Sequence, residues 1–199
     1  MFKLIKLTFS GALAVVFIAA CSYSVKNVPA SYKLNDKAGL AVVSLTVSDE
    51  CAQGKGHGYA YFTEIREINT RKAYSIAMQG FGSERDWERE EKDCSTDRGN
   101  YYGRLVAIEL PAGAYEIYQI EGIAEHRKTY SKNKISVTFM IEPENINYIG
   151  NMHYHISKKK IIYDVENMSD RDMDYFYKKY PKFNEQDFVT NLLNVEKID

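Results

Sequence analysis

The chain has little of what marks most functional classes on inspection. Tryptophan occurs once, cysteine three times and histidine four times in 199 residues. Lysine plus arginine (26) are balanced by aspartate plus glutamate (27), and no basic stripe stands out, which argues against nucleic acid as a partner. The only basic run, Lys158-Lys159-Lys160, reads as the solvated start of a strand. No apolar stretch reaches the roughly twenty residues that a bilayer-spanning helix needs. Gly54-x-Gly56-x-Gly58 lacks the lysine–serine/threonine ending of a phosphate-binding loop and the spacing of a dinucleotide fingerprint, so it reads as a flexible loop. No nucleophile-elbow motif and no internal repeat are present. Carboxylates are plentiful but scattered, which leaves no pair to assign to acid–base work.

What is present begins at the N-terminus. Lys3 and Lys6 form a short basic region ahead of an apolar stretch from Leu7 to Ala20, broken by Thr8, Ser10 and Gly11. At about fourteen residues that stretch fits the hydrophobic region of a signal peptide. It ends in Ile18-Ala19-Ala20-Cys21, which resembles the lipobox of bacterial lipoproteins. The resemblance implies that the Cys21 thiol takes a diacylglyceryl group and that residues 1–20 are removed. The partner expected first is therefore a lipid bilayer, held through acylated Cys21. One fatty chain holds only marginally and two or three hold firmly, at about 0.8 kcal/mol per buried methylene. Ser22, where aspartate favours inner-membrane retention in such lipoproteins, implies an outer-membrane address.

The remaining chain suits one domain. Residues 21–37 are polar, carry Pro29, Ser31 and Asn35, and show no sustained periodicity; they are expected to form a lipidated tether. From residue 38 the pattern turns to strands. Gly39 to Val47 is rich in β-branched residues, and Tyr59 to Ile68 and Ala73 to Met78 alternate. Ser83 to Arg98 is crowded with charges of both signs and holds Trp87; it is expected as a surface excursion with a short helix pairing Glu88 and Lys92. Leu105 to Leu110, the turn Pro111-Ala112-Gly113 and Ala114 to Ile120 read as strand, turn, strand. Ile135 to Ile141, Ile146 to Ile156 and Ile161 to Val165 follow as strands. In the second of these, Ile146, Tyr148, Met152, Tyr154 and Ile156 are expected on one face, and Asn147, Asn151, His153 and His155 on the other.

Helical spacing takes over near the end. Ser169 is placed to cap a helix with Asp172 at its third position, Met173, Phe176, Tyr177 and Tyr180 recur on one stripe, and Pro181 ends it. Asn184 is placed to cap a second helix carrying Phe188, Val189, Leu192 and Leu193. Strands first and helices last predict a mainly β fold: an antiparallel β-sandwich over residues 38–199, with two short C-terminal helices from about residue 169.

Leu110-Pro111-Ala112-Gly113-Ala114-Tyr115-Glu116-Ile117 resembles a recurrent element of prealbumin-like (transthyretin-like) β-sandwich modules, in which a leucine-proline-x-glycine turn launches a strand carrying an aromatic residue. Ile146-Asn147-Tyr148-Ile149-Gly150 is similar to a later strand of such modules. With the lipobox, the whole resembles outer-membrane lipoproteins bearing this domain over about residues 38–165. The resemblance supplies no catalytic residues and implies a non-catalytic accessory.

Few constellations carry chemistry. His153 and His155 share one strand face and form the only candidate chelating pair, but a zinc or copper site needs further ligands; a polar outer face of the sheet is the reading preferred, with no metal or cofactor expected. Asp170, Asp172 and Asp174 imitate the opening of a calcium loop, but Tyr175 stands where glycine is needed and Pro181 where a bidentate glutamate belongs. They are expected in the first turn of a helix, where its dipole favours them. With Cys21 lipidated, Cys51 and Cys94 are expected to form a disulfide in an oxidising compartment. The function expected is that of an envelope-anchored, non-enzymatic binding or accessory module for an envelope protein or polymer. A hydrolase acting on envelope material and a metal-binding lipoprotein using His153 and His155 stand as alternatives.

Overall fold

A computed structural model describes residues 23–24, 26–49, 59–79, 87–89, 101–124, 127–130, 135–157, 160–183 and 188–195. The fold is mainly β, with two sheets and, among the described residues, one helix. The first sheet contains β1 (Tyr23–Ser24), β4 (Ala73–Gln79), β3 (Tyr59–Glu67), β7 (Gly113–Ala124), β9 (Val137–Ile141) and β13 (Asn194–Val195) in that spatial order, with β8 (Arg127–Tyr130) also on β7. The second runs β11 (Lys160–Glu166), β10 (Ile146–Ser157), β2 (Ala38–Asp49), β6 (Tyr101–Pro111), β5 (Trp87–Arg89), with β12 (Phe188–Thr190) also on β10. The helix α1 spans Ser169–Lys179.

The sheets share a buried apolar layer. Ala41, Val43, Leu45, Val106, Ile108, Met152 and Tyr154 come from the second sheet, and Ile65, Ile76, Tyr115, Ile117, Val137 and Phe139 from the first. The Tyr115 and Phe139 rings stack there at 5.5 Å. A second apolar layer lies on the other face of the second sheet, where Leu40, Val42, Leu105, Ala107, Ile146 and Tyr148 meet Met173, Phe176 and Tyr180 of α1 and its C-terminal end. β2 is therefore buried on both faces, which is why its sequence is nearly continuously apolar rather than alternating.

The structure departs from the sequence expectations in several places. The sheets are not wholly antiparallel: β2 and β10 run parallel, from Leu40↔Ile146 to Asp49↔Ile156, and β1 runs parallel to β4. The Pro111-Ala112-Gly113 turn carries the chain from the second sheet into the first, with Pro111 opposite Ala38 and Gly113 opposite Ile141. Gly113 holds φ +152, and the Tyr115 hydroxyl donates back to the Pro111 carbonyl at 2.8 Å, fixing the corner.

The second expected helix is absent from its described part, since residues 188–190 and 194–195 are strands. β12 takes the free edge of β10 beside Ile146–Tyr148, and Asn191 and Leu193 donate their amides to the Tyr148 and Ile149 carbonyls. An isolated helix of this length is marginal, and an open strand edge offers the same backbone partners together with burial of Leu193. Trp87–Arg89 likewise pairs with the edge of β6, so Glu88 lies in a strand and not in the expected helix. The expected tether is docked over much of its length. Val28 donates to the Ala107 carbonyl, the Asn27 side chain accepts from the Ala107 amide, and Val28, Tyr32 and Leu34 pack on the layer beneath α1.

Candidate functional site

The polar site is built by an irregularity in β10. Register with β2 shifts between Tyr148 and Gly150, and Gly150 adopts φ +113. Such a bulge turns the side chains beyond it to the opposite face. Tyr148 and Ile146 therefore face α1 while Met152 and Tyr154 face the inter-sheet layer. The expectation that these four share one face is corrected by that extra residue. Its consequence is that Tyr148, Asn151 and His153 lie on the same outer face, beside Ser44 and Thr46 of β2.

There the apolar floor gives way to a row of buried polar groups. Ser44, Thr46, Asn151 and Asp172 have no exposed surface, and His153 is 7% exposed. Asp172, in the first turn of α1, points into the sheet. Its Oδ2 accepts from Ser44 Oγ at 2.6 Å and from the Tyr148 hydroxyl at 2.7 Å. Its Oδ1 accepts from Arg171 Nε at 2.8 Å and Nη2 at 2.7 Å. Arg171 Nη2 also donates to Ser44 Oγ at 3.1 Å. Hydroxyl donors on one oxygen and a guanidinium on the other are what a carboxylate needs to stay in a site closed to water. The Tyr148 hydroxyl accepts in turn from the Met168 amide at 3.1 Å, tying the start of α1 to β10. Burial first, then the Asp172 charge, push the Tyr148 phenol well above its ordinary pKa, so it stays a donor.

The row continues away from the helix. Ser44 Oγ also lies 2.8 Å from Asn151 Oδ1, so its one hydroxyl proton is shared between that oxygen and Asp172. Asn151 Oδ1 accepts from Thr46 Oγ1 at 3.0 Å, and its Nδ2 donates to Glu166 Oε2 at 3.0 Å. Thr46 Oγ1 lies 2.7 Å from His153 Nδ1. A threonine has one hydroxyl proton. Where Thr46 gives it to Asn151, the imidazole must donate to Thr46, which places the ring proton on Nδ1. Hydroxyls, an imidazole, a carboxylate and a guanidinium are thus brought together, and they are bound chiefly to one another.

Asp170 and Asp172 lie in the first turn of the helix as expected, but Asp172 is fully buried, while Asp170 and Asp174 are exposed. Ser169 is the first helical residue rather than its cap, and the capping position, Met168, makes no side-chain bond. His153 is buried rather than half-exposed. His155 follows it in β10, in register with Ile162. Among the described residues no group of three or more histidine, cysteine, aspartate or glutamate side chains is placed to hold a metal ion. Cys21, Cys51, Cys94, His57, His126 and the Gly54–Gly58 loop lie outside the described residues. Ser44, Thr46 and Asn151 had no signal of their own, since small polar residues on a strand read as solvent-facing.

No protein-family model matches the chain, and no curated protein matches it. Two solved structures have a distant likeness to it. One is a leucine-rich repeat protein from Bacteroides thetaiotaomicron VPI-5482, with 14% identity, a TM-score of 0.34, and 62% of this chain covered against 14% of that one. The other is a "putative cell adhesion protein" from Bacteroides ovatus ATCC 8483, with 8% identity, a TM-score of 0.30, and 64% of this chain covered against 44% of that one. The chain thus spans a small part of the first and under half of the second, and neither likeness bears on its function.

Proposed function

We propose that this chain is an outer-membrane lipoprotein, anchored through acylated Cys21, whose body is a prealbumin-like β-sandwich serving as a non-enzymatic binding module for an envelope protein or polymer. The observation that carries the proposal is the Ile18-Ala19-Ala20-Cys21 sequence directly after a short apolar stretch with two lysines before it. A sandwich is supported by the two sheets that share one apolar layer. The binding reading is supported by the state of the reactive side chains. Asp172 and Ser44 are fully buried and bonded to each other and to Arg171. A hydrolase would need such groups open to substrate and within reach of its proton.

The hydrolase alternative draws on one contact, the 2.7 Å approach of Thr46 Oγ1 to His153 Nδ1. His153→Gln separates the two readings, since it leaves binding of envelope material intact in the first and abolishes turnover in the second. The anchor is tested in the native host with radiolabelled palmitate. Label is expected in the wild type and not in Cys21→Ser, and an unlabelled wild type sinks the proposal. Cross-linking in intact envelopes followed by affinity capture then identifies the partner.

A further inference from the structure

The anchor and the fold are joined by very little chain. β1 begins at Tyr23, two residues after Cys21, and pairs with Tyr74 and Ser75 of β4. Two residues span at most about 7 Å. Pairing is parallel, so the chain ahead of Tyr23 leaves at the Ala73 end of β4. That end is closed by the turn between β3 and β4, and the same end of the molecule carries the Pro111–Gly113 corner. A lipid chain on Cys21 therefore brings this end, and not an arbitrary face, to the bilayer.

The turn it brings has the chemistry of a membrane contact. Ile68 is a large apolar residue left 37% exposed at its tip, and Asn69, Thr70, Arg71 and Lys72 are exposed beside it. The turn is fixed rather than loose. Arg71 donates its amide to the Glu67 carbonyl and Glu67 to the Lys72 carbonyl, both at 2.9 Å, and Ile68 donates to Ala114. Arg71 holds φ 60, and the Lys72 ammonium sits 5.3 Å from the centre of the Tyr74 ring. Glu67 opens the turn and holds its carboxylate to the Thr70 hydroxyl, so Arg71 and Lys72 leave the turn with one net positive charge. Glu142 and Glu144 are on the turn after β9, roughly 12 Å further across the sheet at about 4.8 Å per strand. That is beyond a physiological screening length of about 8 Å.

We infer that the β3–β4 turn is a second membrane contact, in which Ile68 enters the headgroup layer and Arg71 and Lys72 engage the phosphates of anionic phospholipid in the leaflet that holds the anchor. The inference rests on the reading of Cys21 as lipidated. It makes the body lie against the membrane with its β3–β4 end down, and the opposite end, where Trp87 registers with Gly103, roughly 27 Å away at about 3.3 Å per residue.

The test uses the lipidated full-length protein in vesicles of phosphatidylglycerol and brominated phosphatidylcholine. Ile68→Trp is made in a Trp87→Phe background, and the wild type, with Trp87 alone, is the internal reference. The introduced tryptophan is expected to be quenched by brominated lipid and Trp87 to be spared. Arg71→Asn with Lys72→Gln, added to the first variant, is expected to weaken the contact about 25-fold, at roughly fivefold per basic residue on an anionic surface. Protein that floats with the vesicles while position 68 remains unquenched overturns the contact and leaves the anchor standing. Protein that neither floats nor takes up palmitate overturns the anchor, and the contact with it.

Discussion

The outer face of the second sheet is two surfaces on the same strands. Under α1, Leu40, Val42, Leu105, Ala107 and Ile146 meet Met173, Phe176 and Tyr180, and the contact is dry. One turn of helix earlier, Ser44 and the Tyr148 hydroxyl meet Asp172 and Arg171, and Asn151, Thr46 and His153 carry the polar row on from Ser44 along the sheet. Both are buried, but they respond differently to change. The dry half gains free energy in proportion to area removed from water and loses it in proportion to the cavity left behind. The polar half contributes little net stability when complete, yet each group left without its partner costs the full penalty of a desolvated donor or charge. α1 is therefore held by one surface and positioned by the other.

The largest effect is expected in the dry half. Phe176 has no exposed surface and lies 5.0 Å from the Tyr180 ring and 5.6 Å from that of Phe183. Phe176→Ala should destabilise the fold by about 3–5 kcal/mol, and Phe176→Leu by clearly less. Denaturant unfolding checks both, and equal losses would mean that α1 is not held by packing. In the polar half, Asp172→Ala removes the acceptor of Ser44, Tyr148 and Arg171 at once. A loss of about 3 kcal/mol is expected, because the buried Ser44 and Tyr148 hydroxyls and the Arg171 guanidinium lose one shared acceptor. The near-isosteric Asp172→Asn should also cost more than about 1 kcal/mol. If Asn is neutral, the row is wetter or looser than its geometry indicates.

The same contrast explains what the sequence made legible. The strands with sustained alternation or β-branched runs, such as Tyr59–Glu67 and Ala73–Gln79, were readable because burial on one face imposes a period of two. α1 was readable from Met173, Phe176 and Tyr180, all on its dry face. The edge strands β5, β12 and β13 were not, being only two or three residues long and chosen by whichever sheet edge was free. The polar row was invisible for a different reason. Its residues face inward only because β10 gains one residue at Gly150, and local alternation cannot show a bulge whose partner strand lies a hundred residues away.

Gly150 therefore offers a way to sharpen the comparison. Its φ of +113 is a region that residues with a Cβ avoid, and a Cβ there would stand 3.3 Å from the Glu166 carbonyl oxygen. Gly150→Ala is expected to cost about 1–3 kcal/mol. The loss should fall mainly on the polar half, since Tyr148 precedes the bulge and Asn151 and His153 follow it. Amide exchange is expected to speed up in β11 and the start of α1 more than in β2–β6. Uniform acceleration across both halves would show that the bulge supports the sheet as a whole rather than the row.

The smallest effect is expected on the far side of the molecule, where a carboxylate is held without the partners that Asp172 has. Glu64 of β3 accepts one bond, from Ser75 Oγ at 2.7 Å, while its other oxygen is buried without a hydrogen-bond partner. Burial raises its pKa above the ordinary carboxylate value, with the Glu121 charge adding to the effect and the Ser75 bond opposing it. The sign follows from linkage. A raised folded-state pKa means that the folded state binds the proton more tightly than the unfolded state. Its contribution is full below the ordinary carboxylate pKa and lost as pH rises through the folded value. At neutral pH the ionised Glu64 is thus a mild cost, and Glu64→Gln, which keeps an acceptor for Ser75, should raise stability by a few tenths of a kcal/mol at pH 7. Below about pH 4 the gain should vanish, because Glu64 is then protonated in both states. Paired urea melts at the two pH values decide it. A Gln variant that is less stable at pH 7 than at pH 4, relative to wild type, would mean that the Glu64 charge is solvated or paired and that the asymmetry between these two carboxylates is smaller than their surroundings imply.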